Sequence, residues 1–243
     1  MNKPDENFIK WACSFSGCDG GNRNAKIWVS GIEWGLKDSS EYYAKTLPSE
    51  IEVGEYNPPI TNHSWEEALT YPYGRSLAKL YLAIIGEKKL PYRQVSRVSD
   101  GSEIFRTNLY PIAFNSAKPE LWKQNGLDII TGFKEKNLFK TWCFLNRFPA
   151  ISKIVEEKSP KLIIGTGVNY LTDFFVCYAG SLNSDNIINV GELKTKKRQY
   201  YWARIGENTT LVVIPFFSSQ SGLNSNELLQ EMGEKIRELV PNL

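Results

Sequence analysis

Three stretches of the chain bring together side chains that could do chemistry. In Lys26 to Gly35 (KIWVSGIEWG), an apolar run from Ile27 to Ser30 breaks at Gly31 and carries Ile32, Glu33 and Trp34 between two glycines. A carboxylate at the mouth of a strand can orient a water, accept its proton and stabilise a developing cation. Glycines there let the backbone turn close to a ligand, although on this stretch alone a plain turn with a solvated carboxylate reads equally well. Asn108 closes a second apolar run, 104–110 (IFRTNLY). Its amide has one acceptor and two donors, enough to read a base edge, or it is simply a turn residue. The third stretch is basic: Lys194, Thr195, Lys196, Lys197 and Arg198, followed by Tyr200, Tyr201 and Trp202. Cations beside rings suit phosphate contact plus stacking, while a solvated hairpin tip is the plainer reading.

Composition narrows what these residues can serve. The 29 Lys and Arg against 27 Asp and Glu leave a net charge of +2, too small to announce a polyanion partner by itself, so a nucleic-acid reading must rest on local clustering. The sole histidine, His63, rules out a multi-histidine metal site, and no particular Ser and Asp stand out to complete a triad with it. Four cysteines, Cys13, Cys18, Cys143 and Cys177, read as free thiols in a cytoplasmic chain. Their C-x4-C spacing leaves a metal or iron–sulfur site open. The N-terminus has no basic segment leading into an apolar one, and no apolar run reaches the roughly 18 residues of a membrane span. A soluble, cytoplasmic protein without a membrane partner is expected.

The elements that would position these residues alternate between helix and strand. A first helix is predicted over 5–14, followed by the glycine-rich loop SGCDGGNRN that feeds the Lys26 strand. The polar stretch after Gly35, with Tyr42 and Tyr43, and the Pro- and Asn-rich segment 56–62 read as loops. Ser64 and Glu67 form a capping box at the head of a short helix. Residues 74–86 form an amphipathic helix stopped by Gly86, with Arg75 near its start. A long helix over 137–158 is divided at Pro149. The run LIIGTG, 162–167, reads as a buried parallel strand with a helix behind it. Residues 186–205 form a hairpin around the basic tip, 209–217 (TTLVVIPFF) a last buried strand, and 226–240 a closing helix. Four buried strands with helices between them predict an α/β fold: a three-layer α/β/α sandwich around a central four-stranded parallel sheet, in one domain spanning 1–243.

Read together, several stretches resemble the motifs of the uracil-DNA glycosylase superfamily. Gly31-Ile32-Glu33-Trp34-Gly35 is similar to its first motif, G-x-(D/N/A)-P-(Y/G), on the loop after the first strand. Tyr71 to Leu77 (YPYGRSL) resembles the glycine-led helix that follows. Thr107 to Pro111, with Asn115 beyond, is similar to the strand whose Asn reads the flipped base. Pro215 to Gly222 resembles the last motif, H-P-S-P or H-P-S-G. The likeness runs in order along nearly the whole chain, with two departures: Trp34 stands for the usual Pro, and Phe216 for the histidine that would stabilise the departing base.

The resemblance implies hydrolysis of an N-glycosidic bond in DNA on a base extruded from the stack, leaving an abasic site. Glu33 would place the water; Asn108 would read the base edge; Ile32, Trp34, Tyr42, Tyr43 and Phe216 would surround the extruded ring. DNA contacts would come from Arg75, from Thr195, Lys197 and Arg198 of the basic tip, and from Ser218, Ser219, Gln220 and Ser221. No cofactor or metal is implied, and a monomer acting on DNA is expected. Without the histidine, and with a bulky Trp in the first motif, a modified or damaged base fits better than uracil. Modified cytosine in phage DNA, removed as antiviral defence, is one branch the resemblance permits. The alternatives are a conventional uracil-removing repair enzyme, a DNA-binding protein of the same fold without catalysis, and a nucleotide-binding α/β protein.

Overall fold

The computed structural model describes residues 4–33, 35, 41–114, 120–180, 187–217 and 220–243. Its sheet consists of β1 (Gly20–Gly21), β2 (Ile27–Gly31), β3 (Ile104–Asn108), β4 (Leu162–Thr166), β5 (Asn189–Glu192), β6 (Gln199–Ile205) and β7 (Thr209–Ile214), in the order β1-β3-β2-β4-β7-β6-β5. The middle four, β3-β2-β4-β7, are mutually parallel. β1 and the β5–β6 hairpin extend them antiparallel at the two edges. The expected four-stranded sheet is therefore the parallel centre of a seven-stranded mixed one. Every residue of β4 and β7 is buried, as strands covered on both faces must be.

Successive side chains alternate between two packed layers. Ile27, Val29, Ile104, Leu162, Ile164, Val212 and Ile214 face one layer. It is completed by α4 (Pro72–Ile84) and α10 (Asn226–Leu239), which pack so closely that a Cβ on Gly233 would strike Ala83. Trp28, Phe105, Ile163, Leu211 and Val213 face the other layer. That layer holds α1 (Glu6–Ala12), α2 (Leu47–Val53), α7 (Lys136–Trp142), α8 (Phe148–Lys158) and α9 (Leu171–Ala179). The short helices α3 (Trp65–Ala68), α5 (Glu120–Gln124) and α6 (Leu127–Thr131) complete the described set.

Two local predictions need correcting. Part of the stretch read as loop after Gly35 is helical: a π turn over Tyr42–Thr46 runs into α2. Tyr43, Leu47 and Ile51, at i, i+4 and i+8, form a buried stripe, and Pro48 comes just after the π turn, whose wider loop accommodates its missing N–H. The long helix is interrupted not at Pro149 itself but at the π turn Cys143–Arg147 just before it. Proline cannot donate the hydrogen bond the preceding turn expects, so the widened turn absorbs the mismatch within a continuous axis.

That π turn ends in Arg147, which is fully buried. Its guanidinium donates to the carbonyls of Leu109 (2.7 Å), Asn108 (3.2 Å), Ser16 (2.8 Å), Ser14 (3.3 Å) and Ala12, and to the Ser16 hydroxyl (3.1 Å). One side chain thus fastens the segment after α1 to the end of β3. Arg147→Met should cost at least about 3 kcal/mol, because it strands several buried carbonyls. For a chain of this size that lowers the thermal midpoint by roughly 6–12 °C, measurable by circular dichroism; an unchanged midpoint would contradict the bracing role.

Candidate active site

Chain order places β3 and β4 on opposite sides of β2, so connections leave neighbouring strands in opposite directions at β2–β4. In open α/β sheets the crevice beyond the carboxyl ends at such a switch point is where ligands bind. A cavity of about 1130 Å³ opens there, lined by Gly31, Ile32 and Glu33 after β2, Asn108 at the end of β3, and Phe216 and Phe217 after β7. Beneath it runs a hydrogen-bonded chain. Tyr178 Oη donates to Ser30 Oγ (2.6 Å), Thr166 Oγ1 to the Ser30 carbonyl (3.1 Å), and Tyr73 Oη lies 3.2 Å from Thr166 Oγ1. Satisfying these buried polar groups fixes the floor.

Glu33 is delivered rigidly because pairing continues past the end of the strand. Leu109 N–H donates to the Gly31 carbonyl (3.0 Å) and Tyr110 N–H to that of Ile32 (2.9 Å). The carboxylate Oε1 lies 2.8 Å from Nζ of Lys136, the first residue of α7, and both side chains are about four-fifths buried. The Lys136 ammonium sits 3.9 Å from the centre of the Phe114 ring, while Lys140, one turn on, lies over Tyr110 and Tyr170. Burial lifts the Glu33 carboxyl above its ordinary value, with Lys136 and then Lys140 opposing. Burial likewise lowers the Lys136 ammonium, with Glu33 opposing.

A second acid–cation pair lines the cavity on the α4 side of the sheet. Arg106 Nη2 lies 2.7 Å from Asp19 Oδ2, and its guanidinium is 5.9 Å from the Tyr73 ring centre. Burial raises the Asp19 carboxyl, opposed by Arg106. His63 lines the same wall. It is buried, packs edge-on to Trp65 at 4.6 Å, and its Nε2 has no hydrogen-bond partner among the described residues. Burial and the nearby Arg106 push its pKa down to about 4, so the ring is neutral near pH 7.

Between the two pairs lies Asn108, opposite Gly31 in the parallel register. Its Nδ2 donates to the Gly17 carbonyl (2.8 Å), and its amide is close enough to Asp19 to favour the ionised carboxylate. The amide oxygen lies against Gly31, where an added Cβ would collide with it.

Glu33, Ile32, Asn108 and Phe216 thus meet in one cavity. Phe216 is 37 % exposed at its mouth, its ring 6.1 Å from that of Tyr73. Tyr42 and Tyr43 are not brought to it. Tyr43 is buried and donates to the Ala113 carbonyl (2.6 Å), and Tyr42 packs on its ring. Arg75 does not line the cavity either; its Nη1 donates to the carbonyls of Leu69 (3.1 Å) and Thr70 (3.0 Å), closing the end of α3. Trp34, Asn115, Ser218 and Ser219 lie outside the described residues.

The basic tip precedes β6, whose Tyr201 is opposite Val213 of antiparallel β7. It therefore lies at the sheet end where the parallel strands finish. Backbone N–H groups of Lys194 and Thr195 donate to Glu231 (2.6 and 3.0 Å), and Arg198 donates to the carbonyl of exposed Gln220 (3.0 Å). Lys196 and Lys197 take left-handed backbone conformations, with φ of 57° and 48°; Ser221 is exposed nearby in sequence to Gln220. The four cysteines are free thiols, and among the described residues no group of three or more His, Cys, Asp or Glu is placed to hold a metal ion.

Lys136, Asp19 and Arg106 did not stand out in the sequence. Lys136 meets Glu33 across 103 residues, and Asp19 meets Arg106 across 87. Asp19 lies in the glycine-rich loop that feeds β2, the one available signal. In comparisons with known proteins, no family model and no curated protein matches the chain.

The Gly31–Asn108 contact makes a prediction of its own. Gly31→Ala should destabilise the fold by about 1–3 kcal/mol through overpacking. The double variant Gly31→Ala/Asn108→Ala should recover part of that loss, since contacting sites couple. Additive losses in denaturant titrations would show that the two residues do not meet as described.

Proposed function

We propose that this chain is a DNA glycosylase that hydrolyses the N-glycosidic bond of an extruded, modified base. One observation carries the reading: a largely buried carboxylate, Glu33, shares a single strand-end cavity with Asn108 and Phe216, residues from three separate motifs of the resemblance. The basic tip at the same end of the sheet suits phosphate contact beside that cavity.

In this reading Glu33 holds a water at the sugar face and accepts its proton as the water oxygen bonds to C1′. The C1′–N bond breaks, its electron pair leaves with the base, and the carboxylate stabilises the cationic sugar in between. Lys136 serves the step indirectly, keeping Glu33 ionised against burial. The departing base finds Phe216, which has no proton to give, where the superfamily motif carries histidine. His63 and Arg106 stand in the cavity wall, and a neutral His63 ring can offer its N–H as a hydrogen-bond donor but has no acidic proton to transfer.

The cavity has room for a substituted base. Ligand pockets generally span about 300–1,000 Å³ and enclose drug-sized molecules. At about 1130 Å³ this cavity is far roomier than one pyrimidine ring needs. A modified cytosine of phage DNA would use that room, and removing it would serve antiviral defence. The rival reading, a DNA-binding protein without catalysis, draws on the same ion pair, since Lys136 would then neutralise a merely structural Glu33.

Glu33→Gln separates these readings. Abasic-site formation should fall by about 100-fold or more while oligonucleotide binding persists; unchanged product yield would remove Glu33 from the mechanism. The pH profile gives a second check. A carboxylate that works ionised, with its pKa raised, loses activity as pH falls through a value above the usual 4.5. Lys136→Met removes the leading charge that opposes the rise, so the acid limb should move to still higher pH; a limb that stays in place would exclude the coupling.

A further inference from the structure

The orientation of the Asn108 amide says which kind of base the cavity accepts. A side-chain amide can be turned either way, but here its surroundings decide. Gly17 offers a carbonyl 2.8 Å from Nδ2. A carbonyl only accepts, so it calls for the NH2 side of the amide. The carbonyl oxygen is thereby turned to Gly31, which lines the cavity and has no side chain to cover it. Asp19 lines the cavity beside it. Arg106 holds one of its oxygens at 2.7 Å, and the ion pair keeps the group an acceptor.

This end of the cavity therefore presents acceptors to a ligand: the amide oxygen of Asn108 and the Asp19 carboxylate. Continuing the glycosylase reading, on which the inference rests, we infer that the β3 end of the cavity selects a base carrying an exocyclic amino group, as cytosine-type bases do, and rejects the uracil type. An amino group supplies two N–H donors, one for each acceptor, and carboxylates accept from the cytosine amino group in direct base readout. A C4 keto oxygen in the same place would set lone pairs against lone pairs and leave Asn108 and Asp19 unpaired in a part-buried site. Asp19 and Asn108 are then the specificity-determining pair, with Arg106 the residue that positions Asp19.

The test compares DNA duplexes of one sequence carrying either 5-hydroxymethylcytosine or 5-hydroxymethyluracil, which share the 5-substituent and differ at C4 and N3. Wild-type protein should release the cytosine form at least about tenfold faster, the lower range of discrimination by a paired base edge. In Asp19→Asn that preference should shrink or reverse, because an amide can turn a donor to the ligand. Equal release, or faster release of the uracil form, overturns the inference while leaving the glycosylase reading intact. Should neither duplex release base, calorimetry with free cytosine and free uracil decides. Tighter binding of cytosine upholds the acceptor-lined cavity and counts against catalysis; equal binding, or none, overturns the inference.

Discussion

A single buried guanidinium governs the geometry of the candidate site. Arg147 donates to five backbone carbonyls and one hydroxyl, and none of the described ion pairs includes it. A buried charge is tolerated only when its donors are all matched, and here the match is made by backbone rather than by acid. The consequence is positional. The segment that carries Gly17 and leads to Asp19 is tied to the end of β3, so the Gly17 carbonyl stands where it turns the Asn108 amide. Removing that brace would loosen the end of β3, and with it the Gly17–Asn108 contact.

On this braced end of the sheet the two acid–cation pairs have different characters. Glu33 and Lys136 are framed by aromatic rings, with Phe114 under the ammonium and Tyr170 under Lys140. Such surroundings strengthen the pair and raise the cost of leaving either charge alone. Asp19 and Arg106 lie among polar groups, Asn108 and Tyr73 among them, and so suit recognition better than proton transfer.

Much of the frame was legible in the amino-acid sequence, because its signals are local. LIIGTG and TTLVVI are continuous apolar runs and became β4 and β7, the two strands buried along their whole length. Ser64 capped its helix by accepting from Glu67 N–H at 3.2 Å, the first half of the capping box. Glu33 announced itself by its glycine frame. β1 did not, since two glycines carry no side-chain pattern. Nor did α2, whose Tyr43–Leu47–Ile51 stripe is diluted by polar neighbours and a proline. The site partners Lys136 and Arg106, and the brace Arg147, were hidden for one reason: each acts on residues far along the chain, through contacts that only the folded sheet creates.

The most direct measurement is mass spectrometry of what the intact protein releases from DNA. Duplexes carrying uracil, hypoxanthine, 5-hydroxymethylcytosine or its glucosylated form would each be incubated with wild-type protein, and free base and abasic strand quantified together. The account predicts a free modified base and abasic DNA in matching amounts from at least one modified duplex, with uracil the poorer substrate. DNA binding without released base from any of them would contradict it.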